Sequence, residues 1–366
     1  MIMMVAGHSF FELALPESYN FDIFPWSWWN FARGKTAPMF LFLSGAVHVF
    51  ANFKNSTSGI SNHLLKKRIV LALMLLGIGY ILNSPINSIN DIFNITDEKL
   101  FIFYQVNILH IFGVGLFLLA LVYKFSRSPQ QVLIYCFSIA ILSSIAAPIF
   151  IHNSLSFLPL FIRDYLNYFG GSIFVLFPYI SYLFFGTCFG IISWKIIQKS
   201  KNNETDNNFL ENAVKGKYFA LSAIILIIIG SILTKIMIYS GLKLDLRSDT
   251  GTLIRNIGII FAVLYLMKNI KISSQFFRKF ITILSKRAIY IYVIHLFIIY
   301  GIGNIHGLKY YYGNSFSPLP AFAISFGVII SSILLTVLID YSISSRTIKY
   351  YLFGAFILYW VYFILQ

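Results

Sequence analysis

The sequence is poor in charge. Of its 366 residues only 11% are Asp, Glu, Lys or Arg, against about 25% in an ordinary soluble domain. That shortage excludes a soluble enzyme and a disordered, charge-solvated chain. Acidic residues are the scarcer kind: 13 Asp and Glu stand against 28 Lys and Arg, for a net charge of +15. Cysteine is almost missing. Cys136 and Cys188 both fall in apolar runs, so they read as small core hydrophobes and imply neither a disulfide framework nor a metal site. There is no His-Glu-x-x-His, no Gly-x-Ser-x-Gly and no phosphate-binding glycine loop. Internal repeats are absent too. The excess positive charge comes without the aromatic and basic motif of a nucleic-acid module, so no nucleic-acid partner is expected.

What the chain does have is apolar length. Hydrophobic residues make up 58% of it and the mean hydropathy is +0.77. A membrane-crossing helix needs about 20 apolar residues. Runs near that length recur, and we place spans at residues 1–15, 37–53, 69–82, 101–123, 132–151, 171–194, 218–239, 253–267, 288–303, 321–339 and 350–365. The expected fold is therefore all-α: a polytopic membrane bundle of about eleven helices in one domain, residues 1–366. The first span is short, and Pro16 ends it. Pro38 is expected in the first turn of the second span, where a missing N–H costs little. Trp26, Trp28 and Trp29 in the loop between them form an interfacial belt. Gly186 and Gly190 have the spacing that lets helices approach closely.

The positive-inside rule sets the orientation. With the N-terminus cytoplasmic, the inward loops hold most of the 28 Lys and Arg, including Lys66, Lys67, Arg68, Lys124 and Arg127. The long polar stretch at residues 195–217 becomes a cytoplasmic loop. Residues 268–287 are basic and amphipathic, and are expected to lie on the membrane surface.

Ionisable residues inside apolar runs are costly there and tend to have functions. His8 and Glu12 are one helical turn apart, so their side chains share a face. A carboxylate bonded to one ring nitrogen would fix the tautomer and leave the other nitrogen as a base. His110 has Asn107 one turn away, and His295 has Tyr292 one turn away. Each histidine alone reads as readily as a group satisfied across the bundle. Three on three helices suggest a shared pathway. His48 and His152 read as interfacial, and His63 and His306 as loop residues without a role. Lys235 and Arg255 fall near span ends, where their charges can snorkel.

Five segments carry a resemblance when taken in order: VAGHSFF, APMFLFLSG, NILHIFGVGLF, LFPYISYLFFGTCFG and SKRAIYIYVIHLFIIYG. Together they resemble the transmembrane acyltransferase superfamily in its heparan-α-glucosaminide N-acetyltransferase-like branch. Acyltransferase-3 membrane proteins are more distant relatives. The resemblance implies a multi-pass protein of the bacterial inner membrane that takes an acyl group, usually acetyl, from cytoplasmic acyl-CoA. It would pass the group to an amino sugar or glycan hydroxyl on the far side. His8 looks like the histidine at the end of the first helix in many bacterial members. In the animal enzyme an asparagine stands there, and the essential histidine lies in the following loop. That loop has no histidine here, so the resemblance implies that the role passes to His8. Members also show an Asp-x-x-Arg-Gly stretch ahead of that histidine, and this sequence begins after that point.

On this reading His8 and Glu12 are catalytic, and His110, Asn107, Lys286 and Arg287 bind the acetyl-CoA co-substrate. Arg33, His295 and Tyr292 bind the acceptor. Direct transfer and an acyl-histidine intermediate are both open, as is a homodimer. No metal is expected. The alternative is a proton-coupled transporter or glycan-lipid flippase, with the histidines as a proton relay; the missing repeats speak against it.

Overall fold

In the computed structural model, the described residues are 1–53, 60–86, 88–201, 216–240, 248–267, 270, 272–303, 305–344 and 361. Fifteen helices are described: α1 (Ile2–Leu13), α2 (Trp26–Asn52), α3 (Asn62–Leu82), α4 (Ile89–Phe93), α5 (Asp97–Tyr104), α6 (Ile108–Phe125), α7 (Pro129–Ile151), α8 (Leu160–Leu166), α9 (Leu176–Lys201), α10 (Lys217–Tyr239), α11 (Thr250–Met267), α12 (Gln275–Lys286), α13 (Ala288–Tyr300), α14 (Leu308–Tyr312) and α15 (Pro318–Ser344). The only described strands are β1 (Gly301–Ile302) and β2 (Ile305–His306), a minimal antiparallel pair.

The chain is an integral, multi-pass, all-α membrane protein. Six described helices are long and apolar enough to cross a bilayer: α6, α7, α9, α10, α11 and α15. A seventh is added if α12 and α13, bent by 69° at their junction, count as one span. The expected total of about eleven is not supported. At about 1.5 Å per residue, α1 is only about 18 Å long, well short of a bilayer core of about 30 Å. Helices α2 and α3 are long enough, but Arg33 and Lys35 in one and Lys66, Lys67 and Arg68 in the other dilute their apolar character. All of the eleventh span but Val361 lies outside the described residues, as does most of the polar stretch at 195–217.

Two further expectations are corrected. Helix α2 starts at Trp26, so Pro38 sits well inside it rather than in its first turn. One turn before the proline, the Thr36 hydroxyl bonds the Arg33 carbonyl at 2.8 Å. The fourth span does not run unbroken from Phe101: the chain leaves the helix between Tyr104 and Ile108. Asn107 caps the new helix, its side chain accepting the Leu109 N–H at 3.0 Å. The freed groups of Val106 are met elsewhere. Its N–H donates to Ser172 Oγ at 2.9 Å, and its carbonyl accepts from Ile173 and Phe174 at 3.1 Å each.

The chain divides into two compact units. The first comprises residues 1–36, 80–103 and 272–366. In it α1 packs against α13 and α15, with Val5, Ile291, Ile299 and Val328 buried together. The last carbonyls of α1 have no partner within the helix. A returning segment supplies them: Asn314 N–H donates to the Glu12 carbonyl at 3.1 Å, and Ser315 and Phe316 N–H to that of Leu13 at 3.0 Å.

The second unit comprises residues 37–79 and 104–271. Its core is built from α2, α6, α7 and α9 around Val49, Leu119, Tyr123, Ala140, Phe184 and Ile191. Gly186 and Gly190 let α9 lie directly on α2. A Cβ at Gly190 would stand 2.7 Å from the Ala46 carbonyl oxygen, and one at Gly186 would collide with that of Phe42.

Candidate functional site

In the first unit α1 carries Gly7, His8, Phe11 and Glu12 on neighbouring turns. His8 is half-buried. Its ring centroid is 5.6 Å from that of His295 on α13, and the two planes are tilted by 40°. Among the described residues His8 makes no hydrogen bond. His295 is fully buried. Its Nδ1 donates to the Ile291 carbonyl at 3.3 Å, which in the neutral ring leaves the lone pair on Nε2. That Nε2 is buried and has no hydrogen-bond partner. The Tyr292 ring stands edge-on to His295 at 4.9 Å. His8, His295 and Tyr292 therefore lie together on α1 and α13.

Arg33 projects from the N-terminal part of α2. Its guanidinium lies 4.2 Å from the Phe11 ring centroid and 5.4 Å from that of Phe21, a cation–π arrangement. Its stem runs past Gly7: a Cβ there would lie 3.7 Å from Arg33 Cγ. No carboxylate pairs with it among the described residues, and the side chain is exposed. Beside it Phe10, Tyr19, Trp26, Trp29 and Phe322 form an aromatic cluster. Trp26 stacks on Phe10 at 5.4 Å, and Trp29 meets Phe322 edge-on at 5.5 Å. Of the three tryptophans read as an interfacial belt, Trp28 is exposed and the other two are in this cluster.

Glu12 differs from the sequence expectation. Its carboxylate makes no hydrogen bond to His8. Tyr300 Oη donates to Oε1 at 2.7 Å, and Lys309 Nζ pairs with Oε2 at 2.8 Å. Glu12 therefore ties the end of α1 to α13 and α14. Sequence reasoning missed both partners. Tyr300 does carry a signal, since it follows Tyr292 by two helical turns; Lys309 carries none.

The expected co-substrate residues fall in two places. Asn107 and His110 belong to the second unit. There His110 is not mid-span but in the first turn of α6, where its Nδ1 accepts the Asn107 backbone N–H at 3.1 Å. Asn107 and His110 thus form a reciprocal cap. The amide of Asn107 also reaches the Gly79 carbonyl at 3.4 Å. Lys286 and Arg287 belong to the first unit, at the bend between α12 and α13, with the Arg287 guanidinium 5.6 Å from the Tyr290 ring. No group of three or more His, Cys, Asp or Glu able to hold a metal occurs among the described residues.

A family described as Heparan-alpha-glucosaminide N-acetyltransferase, catalytic, matches the chain over residues 1–221. The chain belongs to this family. No curated protein and no solved structure matches it. With its apolar spans, this member of the N-acetyltransferase family is a membrane protein of acetyltransferase type. The matched part contains His8, Glu12, Arg33, Asn107 and His110. His295, Tyr292, Lys286 and Arg287 lie beyond it, so their assignment rests on geometry and sequence alone.

Proposed function

We propose that this N-acetyltransferase family member moves an acetyl group from cytoplasmic acetyl-CoA to an amino or hydroxyl group of a sugar acceptor on the extracytoplasmic side of the bacterial inner membrane. The observation that carries this reading is the imidazole pair, 5.6 Å apart, in which, among the described residues, His8 makes no hydrogen bond and His295 Nε2 has no partner. Such a site can accept a proton where water is scarce.

In the reaction the acceptor nitrogen or oxygen attacks the thioester carbonyl. His8 takes the acceptor proton, the C–S bond breaks, and the His8 imidazolium returns that proton to the departing thiolate, giving CoA and the neutral base. His295 Nε2 accepts a hydrogen bond from the acceptor or from the protonated His8, and Tyr292 backs its ring. Arg33, unpaired and held over Phe11, meets an anionic or polar group of the acceptor. The aromatic cluster beside it offers a face for the apolar side of a sugar ring. Glu12 acts as a positioning residue through the bonds that fix α1. Within the first unit, Lys286 and Arg287 suit the donor's phosphates.

The test is consumption of radiolabelled acetyl-CoA by purified protein, with and without a panel of amino sugars and glycans. Acceptor-dependent release of CoA is expected. A folded protein that binds neither CoA nor an acceptor and transfers nothing would overturn the reading.

A further inference from the structure

At the other end of the second unit's α6, away from Asn107 and His110, lies a polar cluster that the proposed reaction does not use. Arg68 in the second turn of α3 is only 6% exposed. Its Nη2 donates to the His48 carbonyl at 3.2 Å, and its guanidinium carbon lies 5.3 Å from the Tyr123 ring centroid. Its Nη1 is buried with no hydrogen-bond partner. The same holds for both polar atoms of Asn52, itself 6% exposed, and for the hydroxyl of Tyr123. The Asn52 amide approaches that hydroxyl without completing a hydrogen bond.

A buried cation without a counter-charge is strongly destabilising. The described carboxylates of this unit do not supply one. Asp164 is tied through Ser172 to the opposite end of α6, since Ser172 Oγ donates to the Asp164 carbonyl and accepts from Val106. Asp249 precedes Thr250, whose hydroxyl bonds Ser144 in the second half of α7. Lys66 and Lys67, which precede Arg68 in α3, and Lys124, which follows Tyr123, are exposed. The four unmet atoms belong to three groups that form one donor-rich set: a guanidinium N–H, an amide and a hydroxyl.

We infer that Arg68, Asn52 and Tyr123 form a binding site for a phosphate group carried by an organic ligand. A phosphate can take the free guanidinium N–H, the amide N–H and the phenol O–H at once while neutralising the buried charge. The phosphate can come from the acyl-CoA donor or from the headgroup of an anionic phospholipid. Only the first source rests on the function proposed above.

The test measures the melting temperature of the full chain in nanodiscs of phosphatidylcholine. CoA or inorganic pyrophosphate is added, or phosphatidylglycerol is mixed into the disc. Wild type, Arg68→Met and Asn52→Asp are compared. Asn52→Asp places a carboxylate beside Arg68, so it is expected to melt higher than wild type without ligand and to lose the ligand shift. Arg68→Met is expected to bind at least about thirtyfold more weakly, as for truncating one partner of a buried charged pair. A shift with CoA and pyrophosphate assigns a soluble phosphate ligand; a shift with phosphatidylglycerol alone assigns a lipid. The proposal is overturned if Asn52→Asp melts below wild type, if no phosphate compound shifts wild type, or if the shifts persist undiminished in both variants. Acetyl transfer with a CoA shift indifferent to Arg68 would remove this site and leave the proposed function standing.

Discussion

A histidine on an apolar helix is easy to find in a sequence, but its partners are not. His8 and His295 stood out because ionisable groups are rare in such runs, and the structure sets their rings side by side. The role of Glu12 was not legible. It shares a face with His8, yet its bonds go to Tyr300, 288 residues further on, and to Lys309. No local spacing encodes contacts made by a returning chain. The two histidines make separable predictions. If His8 is the base, His8→Ala lowers turnover about 10²–10⁴-fold with CoA affinity unchanged. His295→Ala, which removes a hydrogen-bond acceptor, should mainly raise the KM for the acceptor. The reverse pattern would make His295 the base. Glu12→Gln and Lys309→Met should behave alike, with modest losses of turnover and a slightly lower melting temperature, because each removes one side of the same half-exposed pair.

Asp164 allows a residue-scale prediction about pH. Its side chain is fully buried, 3.8 Å from Arg163 Nε, and both carboxylate oxygens lack a hydrogen bond. Burial raises its pKa from 3.8 to about 6, and the nearby Arg163 offsets only part of that rise. The folded chain therefore holds a proton between about pH 4 and pH 6 that the unfolded chain releases. Stability should fall as pH rises through that window and stay low above it. Asp164→Asn should flatten the profile and melt higher than wild type at neutral pH. Equal slopes for the two proteins from pH 4 to pH 6 would show that another group titrates there.

At the scale of elements, the sequence located the apolar helices better than their ends. Spans expected at 132–151 and 218–239 agree with α7 and α10 to within a few residues. Both are long, uniformly apolar and closed by polar loops, so hydropathy alone settles them. The break before α6 escaped because Gln105 and Asn107 are too few to lower the average hydropathy of the run from Phe101. The signal was Asn107, whose side chain can cap a helix; hydropathy averages such single residues away. The start of α2 was missed for the opposite reason. Its first turns carry tryptophans, Arg33 and Lys35, which read as a loop on hydropathy yet have adequate helix propensity. The cap can be tested. Asn107→Ala should cost about 1 kcal/mol, the usual loss for an N-cap, and more if the His110 contact fails with it. Thermal melting in detergent measures this directly. No change would mean that the Val106 and Ser172 bonds hold the break unaided.

At the scale of the whole molecule, the described residues support six or seven spans rather than about eleven, yet the side on which each loop lies follows from parity. Within the second unit, Arg127 follows α6, Ser154 follows α7 and Lys199 lies near the end of α9. Both α7 and α9 are long and apolar enough to cross the bilayer, whereas α8, with seven residues, is not. Arg127 and Lys199 must then share one side, with Ser154 on the other, whatever the total number of spans. The positive-inside rule makes the side with Arg127 and Lys199 cytoplasmic, because Lys124, Arg127, Lys195 and Lys199 gather there. All three positions are exposed or half-exposed, and both native cysteines are buried, so single introduced cysteines should report with little background. In intact cells a membrane-impermeant maleimide should label Ser154→Cys. It should reach Arg127→Cys and Lys199→Cys only after the membrane is opened. If all three label the same way, α7 and α9 do not both span. If the pattern is inverted, the spans stand but the basic ends face outward. Arg68 would then lie on the side without acyl-CoA, and the phosphate it binds would have to come from a lipid.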